Sequence, residues 1–184
     1  MTTNPKFKNR QNPHLDIWIS RAPAVVGIVF AFGVEDGTRV LVIKRSDKMP
    51  DEPNKYGAPS GYLDWDESGF DGMTREVYEE TSLYLPNYDP FLIFDNNKQP
   101  FYVHTDPTTD KNQNVSLTYV MAYDFSSEPD FFPKDIENHY DFETAKVLWL
   151  KLSDFYNAIY PWAFNHDQRI KMALEYFNKN FTRK

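Results

Sequence analysis

The sequence predicts a mixed α/β (α+β) fold. Short apolar runs rich in valine, isoleucine and aromatic residues recur between residues 24 and 150, which is typical of buried strands. Two other segments, one in the middle of the chain and one near residue 170, carry apolar residues at the spacing of an amphipathic helix. The chain has 184 residues, 41 % of them hydrophobic, which supports one domain with a sizeable core.

The first part of the chain divides into an arm and a predicted hairpin. Residues 1–20 are polar and are predicted to form an N-terminal arm, in which alternating apolar residues at 15, 17 and 19 favour an edge strand. A single domain is predicted over residues 21–184. Its first strands are predicted at 24–34 and 39–45, and the turn signal at 35–37 joins them as a β-hairpin.

Later apolar runs predict the rest of the domain. Short strands are expected at 91–94 and 101–104, a central strand at 116–125 and a last strand at 145–150. Ser153 is predicted to open a short helix, and Asn165 a final one. Asn165 with Gln168 three residues later has the spacing of a capping arrangement.

The composition excludes several classes of function. The formal net charge is −7, which argues against broad non-specific nucleic-acid binding. The sequence has no cysteine, so disulfides, thiolate metal sites and a cysteine nucleophile are excluded. Neither a signal-peptide pattern nor a long apolar span is present, and we expect a cytoplasmic protein without a membrane partner.

The segment from Gly61 to Leu83 carries the strongest functional signal. If it is helical towards its end, Glu76, Glu79 and Glu80 lie on one face, while the opposite face is mostly apolar (Phe70, Met73, Thr74, Val77 and Thr81). Three like charges on one patch destabilise a helix unless a cation lies among them. Oxygen-only ligands without cysteine or paired histidine favour Mg²⁺ or Mn²⁺ over zinc.

The spacing of this segment resembles the Nudix box of the Nudix hydrolase superfamily. The family pattern is G-x5-E-x7-R-E-U-x-E-E-x-G-U, where U is aliphatic, and Gly61, Glu67, Arg75-Glu76 and Glu79-Glu80 occupy its fixed positions. Ser82 stands where the pattern has its last glycine, and Ser60 stands where a second glycine is expected before the box. The resemblance implies the Nudix fold, a mixed β-sheet sandwiched between helices.

The resemblance also implies a reaction. It is the metal-dependent hydrolysis of a nucleoside diphosphate linked to another group X, which gives a nucleoside monophosphate and phosphorylated X. The metal ligands it implies are the Gly61 carbonyl, Glu76, Glu79 and Glu80, and Arg75 is expected to orient them, paired with Glu67. The general base is open between the box (Glu79 or Glu80) and a distal loop carboxylate, Glu143 first, then Glu137 and Asp141.

Candidate substrate contacts lie beside the box. Arg45 ends a strand run and is predicted to be either an ordinary surface cation or, as the family often has there, a phosphate contact. Lys55 belongs with it to a local basic strip, and Tyr56 and Tyr62 are candidates for stacking on a nucleotide base.

A weaker resemblance concerns the subfamily. The stretch Ala163-Phe164-Asn165-His166-Asp167 before the last helix is similar to the tail of ADP-ribose-type Nudix proteins, which usually have Phe-Asp-His there. His166 itself is expected to be structural. The resemblance implies ADP-ribose or a related nucleotide as substrate, a possible homodimer and no stable nucleic-acid partner.

A non-catalytic Nudix-fold nucleotide sensor is the alternative function. The presence of all three box glutamates disfavours it, and no segment of the 184 residues is predicted to be a DNA-binding module.

Overall fold

The computed structural model describes residues 6–8, 16–18, 22–35, 37–106, 114–133, 142–157 and 159–181. In the predicted arm, β1 (Lys6–Lys8) and β2 (Asp16–Trp18) pair antiparallel as a two-stranded sheet of their own. The predicted edge strand is therefore confirmed at residue 17, while Leu15 and Ile19 lie outside the described residues.

The main sheet of the described chain has eight strands. They are β3 (Pro23–Phe32), β4 (Arg39–Arg45), β5 (Tyr56–Gly57), β6 (Ser60–Tyr62), β7 (Leu92–Phe94), β8 (Tyr102–His104), β9 (Val115–Asp124) and β10 (Thr144–Lys151). Its main path runs β10-β4-β3-β9-β7, with β5 on β4, β6 on β3 and β8 on β9. The sheet is mixed because β3 and β9 run parallel over their whole length while their other neighbours are antiparallel.

Helices cover both faces of this sheet. The α-helices are α1 (Gly69–Thr81), α2 (Leu152–Asn157) and α3 (His166–Asn180). Strand β3 serves both faces, because Val25 and Val29 face the core that contains α1 residues, whereas Val26 and Ile28 face the core that contains α3 residues. A strand buried on both faces has a continuous apolar run rather than an alternating one, and this is the pattern from which β3 was predicted.

The predicted fold class is confirmed, and most predicted elements lie within a few residues of their expected bounds. The hairpin is present: Phe30 pairs with Val40, and the Gly37 N–H donates to the Val34 carbonyl at 3.1 Å across the turn. Of the described helices, none is long and apolar enough to span a bilayer.

The predicted capping of α3 by the Asn165 side chain is wrong. Asn165 precedes the helix in a left-handed conformation (φ 57°), and its side chain makes no capping hydrogen bond. Its backbone carbonyl accepts from the Gln168 N–H at 3.1 Å instead. The left-handed backbone turns the side chain away from the first turn, because an N-cap side chain normally acts from an extended residue.

Candidate active site

Helix α1 approaches the sheet closely along its apolar face. Met73 and Val77 are buried and pack over Gly27 of β3, where an added Cβ would lie 2.9 Å from the Met73 Sδ and from a Val77 methyl carbon. Ser68 caps the helix: its hydroxyl accepts the Asp71 N–H at 3.2 Å and donates to the Asp71 carboxylate at 2.7 Å. These contacts fix the rotation of α1, and so the direction of each box carboxylate.

Arg75 gathers three of the box carboxylates. Its guanidinium binds Glu67 through two hydrogen bonds of 3.1 and 2.7 Å, and it donates to Glu76 and Glu79 at 2.8 Å each. It also donates to the Tyr62 carbonyl at 2.9 Å. The predicted pairing of Arg75 with Glu67 is therefore present, in the planar two-bond geometry that a guanidinium favours.

The opposite charges of Arg75 and Glu67 stabilise each other in this cluster. The hydrogen bond from Arg75 is the main cause that lowers the pKa of Glu67, and the same bond raises the pKa of Arg75. Glu67 also accepts the Asp64 N–H at 2.8 Å, so its carboxylate anchors the loop before the helix. Gly72 lies beside it, and an added Cβ there would lie 2.7 Å from a Glu67 oxygen, so a side chain at position 72 would displace this carboxylate.

Glu80 is in a different environment from the Arg75 cluster. It is 3 % exposed, and one carboxylate oxygen accepts the Ser60 N–H at 2.8 Å. The other oxygen, Oε1, is buried and has no hydrogen-bond partner in the part of the chain that the structure describes. Burial raises the pKa of Glu80 well above its usual range, and the charges of Glu76 and Glu143 raise it further. A buried carboxylate oxygen without a hydrogen bond is destabilising unless a ligand binds it.

Glu76 belongs to the Arg75 cluster, and its charge also raises the pKa of Glu80. Its carboxyl group packs directly against the Cα of Gly61, and any Cβ at position 61 would overlap it. Burial raises the pKa of Glu76, and the hydrogen bond from Arg75 opposes this increase. The absence of a side chain at Gly61 is thus what lets β6 and α1 bring a backbone segment and a carboxylate together.

The two remaining candidate carboxylates are more accessible. The Glu79 side chain is 54 % exposed and points to Arg75. Glu143 is exposed at the start of β10, and its charge acts on both Glu76 and Glu80. Its backbone carbonyl accepts the Ser46 N–H at 2.7 Å, which fixes the loop. The distal alternatives Glu137 and Asp141 lie outside the described residues.

Within the described ranges, no three acidic or histidine side chains form a ready metal cage. Glu67, Glu76 and Glu79 converge on the Arg75 guanidinium instead. The donor set nevertheless fits a hard divalent cation. One buried Glu80 oxygen bonds to no described residue, its other oxygen binds the Ser60 N–H, and the Glu76 carboxyl group packs on the neighbouring Gly61.

The two predicted cationic substrate contacts, Arg45 and Lys55, both interact with neighbouring residues. Arg45 is only 7 % exposed; its guanidinium donates to the Asp51 carbonyl at 3.3 and 3.0 Å and lies 5.0 Å from the centre of the Phe164 ring. The interpretation of Arg45 as an ordinary surface cation is therefore wrong, because local packing covers it. Lys55 forms an ion pair with Glu52.

The two candidate tyrosines lie in different surroundings. Tyr56 is half-buried and packs edge-on against Tyr160 at 5.0 Å, with Trp162 at 6.4 Å. Tyr62 is exposed, and the Asn114 amide donates to its hydroxyl at 3.3 Å. Tyr62 is thus exposed beside the box, whereas Tyr56 packs within an aromatic cluster.

The sequence analysis did not predict that the segment from Ala58 to Ser60 links α1 to α3. The Ser60 N–H binds Glu80, and the Ala58 N–H donates to Nδ1 of His166 at 3.0 Å. His166 is buried, as expected of a structural residue. Both contacts use backbone N–H groups, which leave no signal in a pattern of side chains.

A family model described as NUDIX domain matches residues 21–172, which include this entire site. The chain belongs to the NUDIX domain family. No curated protein matches the sequence.

Solved structures of low sequence identity share the fold. A mutT/nudix family protein from Listeria innocua is 21 % identical, with 87 % of this chain and 96 % of that chain covered and a TM-score of 0.60. The NUDIX domain of Shewanella oneidensis NrtR, complexed with ADP ribose, is 21 % identical over 87 % of this chain and 90 % of that chain, with a TM-score of 0.58.

Longer chains match over part of their length. A bifunctional NMN adenylyltransferase/ADP ribose pyrophosphatase from Francisella tularensis, complexed with AMP and a manganese ion, is 21 % identical (TM-score 0.62); 85 % of this chain covers 42 % of that chain. NrtR complexed with a 27mer DNA is 20 % identical (TM-score 0.58), and 85 % of this chain covers 62 % of that chain.

Proposed function

We propose that this protein is a metal-dependent Nudix hydrolase that converts a nucleoside diphosphate linked to X into a nucleoside monophosphate and phosphorylated X. The observation that carries the proposal is the buried Glu80 carboxylate. One of its oxygens has no hydrogen-bond partner among the described residues, and its other oxygen binds the N–H of Ser60, next to Gly61, on which the Glu76 carboxyl group packs. Most buried side-chain polar atoms are hydrogen-bonded, so this oxygen supports the proposal of a bound cation.

Glu76, Glu80 and the Gly61 carbonyl would hold Mg²⁺ or Mn²⁺, with Glu79 as a further ligand. When bound, the ion would neutralise the diphosphate and lower the pKa of a water molecule. Arg75 keeps its positive charge at any accessible pH. We assign Arg75 the role of holding the Glu67, Glu76 and Glu79 carboxylates in position before the reaction. Glu79 must leave its ion pair with Arg75 if it serves as a metal ligand.

The general base is proposed to be Glu143. In the hydrolysis, a water oxygen forms a bond to phosphorus, the bridging P–O bond breaks, and the base accepts the water proton. Glu143 is exposed and close enough to influence the pKa of Glu76 and Glu80, so it can reach a water molecule beside them. Glu79 and Glu80 remain the alternatives within the box.

Tyr62, Arg45, Lys55 and Tyr56 are proposed to contact the substrate, Tyr62 by stacking and Arg45 near a phosphate. ADP-ribose or a related nucleotide is the proposed substrate. Two structural neighbours support this choice, one complexed with ADP ribose and one with AMP and a manganese ion.

A product assay tests the proposal. Purified protein is incubated with ADP-ribose, NADH, diadenosine polyphosphates, nucleotide sugars, nucleoside triphosphates and capped RNA, with Mg²⁺ or Mn²⁺ and with EDTA as control. We expect metal-dependent release of a nucleoside monophosphate from one of them. Glu143→Gln should lower turnover more than metal affinity, and unchanged turnover in this variant would return the base to the box.

A nucleotide sensor is the second candidate, and the NrtR structures favour it, since one is complexed with ADP ribose and one with DNA. Tight binding of one compound by calorimetry, without hydrolysis of any in the panel, would select the sensor.

A further inference from the structure

A cavity lies at the end of α1 that is opposite to Glu80. It has a volume of about 510 Å³ and is lined by the first turn of α1 (from Ser68 to Asp71) and by Lys98, Gln99 and Tyr119. From Gly69 to Glu80 the helix axis spans about 16 Å at 1.5 Å per residue. The cavity is therefore separate from the box carboxylates.

Tyr119 supplies an unpartnered polar group to this cavity. Its side chain is 4 % exposed, and its ring packs edge-on against Phe70 at 6.0 Å. No described residue forms a hydrogen bond with its hydroxyl group, which lies directly against Gly69. Burial raises the pKa of Tyr119, so the phenol remains a hydrogen-bond donor at neutral pH. Any side chain at position 69 would cover this hydroxyl, because an added Cβ overlaps the oxygen.

Backbone donors face the same cavity. Ser68 occupies the N–H groups of Asp71, through its hydroxyl, and of Gly72, through its carbonyl. Among the described residues, the N–H groups of Gly69 and Phe70 have no such partner, as is usual for the first turn of a helix. These donors and the helix dipole favour an anion at this position.

Lys98 adds a positive charge to the lining of this cavity. The Lys98 ammonium lies 5.3 Å from the centre of the Phe70 ring and forms no ion pair with a described carboxylate. Asn96, Asn97 and Lys98 all have positive φ, and Tyr176 donates to the Asn96 side chain at 2.8 Å, which holds this unusual loop in place. The Asp71 carboxylate also lines the cavity, but it is already bonded to the Ser68 hydroxyl.

We propose that this cavity binds a phosphate monoester, whose oxygens accept from the Gly69 and Phe70 N–H groups, the Lys98 ammonium and the Tyr119 hydroxyl. The four donors converge from three elements, and the cavity has room for a sugar next to the phosphate group. The site is independent of the proposed hydrolysis.

The test is an NMR titration of the full-length chain in EDTA with inorganic phosphate, ribose 5-phosphate and, for comparison, acetate. Without metal or turnover, the result does not depend on the proposed hydrolysis. We expect the Gly69 and Phe70 amide signals to shift with both phosphates and not with acetate. The affinity for ribose 5-phosphate should fall about tenfold in Lys98→Ala and about threefold in Tyr119→Phe, as for loss of a charged and a neutral donor.

Matched controls are Lys179→Ala and Tyr84→Phe, which remove the same groups elsewhere on the surface and should bind like the unchanged protein. Thermal unfolding of Tyr119→Phe verifies that its core is intact. The proposal is overturned if the two amides do not shift up to about 20 mM ligand, if shifts occur only near Glu80, if acetate binds as well as phosphate, or if both site variants keep full affinity.

Discussion

Glu80 and His166 are buried polar residues on opposite sides of one sheet, and both hold the same short segment. Glu80 belongs to α1 and accepts the Ser60 N–H, while His166 begins α3 and accepts the Ala58 N–H. Arg45 lies near both, since its charge lowers the pKa of each. The two residues therefore have similar burial, the same kind of backbone partner and a shared neighbouring cation.

The two residues differ in charge and in what remains unpaired. Burial lowers the pKa of His166 to about 3, so the imidazole is neutral and its Nδ1 acceptor is used. Burial raises the pKa of Glu80, and one buried Glu80 oxygen bonds to no residue that the structure describes. Unpaired buried polar atoms are rare in native structures. The Glu80 oxygen is therefore the candidate for a ligand contact, whereas the Nδ1 of His166 is used within the fold.

The largest effect is expected from Glu80→Gln. Loss of one ligand charge at nearly constant volume should lower metal-dependent turnover by about 100-fold or more. The fold should be kept or stabilised, because the glutamine still accepts the Ser60 N–H and no buried carboxylate remains. Turnover is measured with the substrate found in the product assay, and unfolding with denaturant.

Glu175→Gln is the matched control, because Glu175 is exposed on α3. It should change neither quantity. Full turnover of Glu80→Gln at saturating Mg²⁺ would contradict the metal assignment.

The next largest effect is a loss of folding stability when His166 is replaced. His166→Ala should lower the free energy of unfolding by about 2–3 kcal/mol, because it leaves the Ala58 N–H unsatisfied and opens a cavity beside Gly57. The remaining folded protein should still show metal-stimulated turnover, in contrast to Glu80→Gln. A stability equal to that of the unchanged protein would remove His166 from its structural role.

A smaller effect is expected in the pH dependence of the free energy of unfolding, and the pKa of His166 determines its direction. The unfolded chain protonates His166 near its ordinary pKa of 6.5, whereas the folded chain resists protonation until about pH 3. Its contribution to stability is thus present above pH 6.5 and is lost as the pH falls, by up to about 1.4 kcal/mol per pH unit. The stability difference between the unchanged protein and His166→Ala should narrow between pH 7 and pH 5.5. A difference that stays constant would show that the imidazole titrates normally in the fold.

The smallest effect is expected at the C-terminus of α1, two residues from Glu80. Ser82 has a left-handed backbone (φ 60°), and its N–H donates to the Tyr78 carbonyl at 2.7 Å. Ser82→Gly should raise the free energy of unfolding by about 0.5 kcal/mol, because glycine has no Cβ penalty there. Ser68→Gly at the other end should lower it slightly. The measurement is the denaturant midpoint of each variant beside that of the unchanged protein. A loss of stability in Ser82→Gly would contradict the expectation.

The features of the site that were predicted correctly are local ones. The helical spacing of Arg75 and its glutamates and the pairing with Glu67 both depend on residues within one short segment. The capping by Asn165 was predicted from equally local spacing and was wrong, because the chain enters α3 in a conformation set by its packing on β5.

By itself, the sequence determined which chemical groups the site contains, because the spacing along one helix decides which side chains share a face. Only the tertiary structure decided that Glu80 is buried while its neighbour Glu79 is exposed. Successive residues of a helix point about 100° apart, so the docking of Met73 and Val77 on β3 determines which of the two faces the sheet. The bonds from Ala58 and Ser60 likewise join α3 and α1 through backbone groups that no residue pattern specifies.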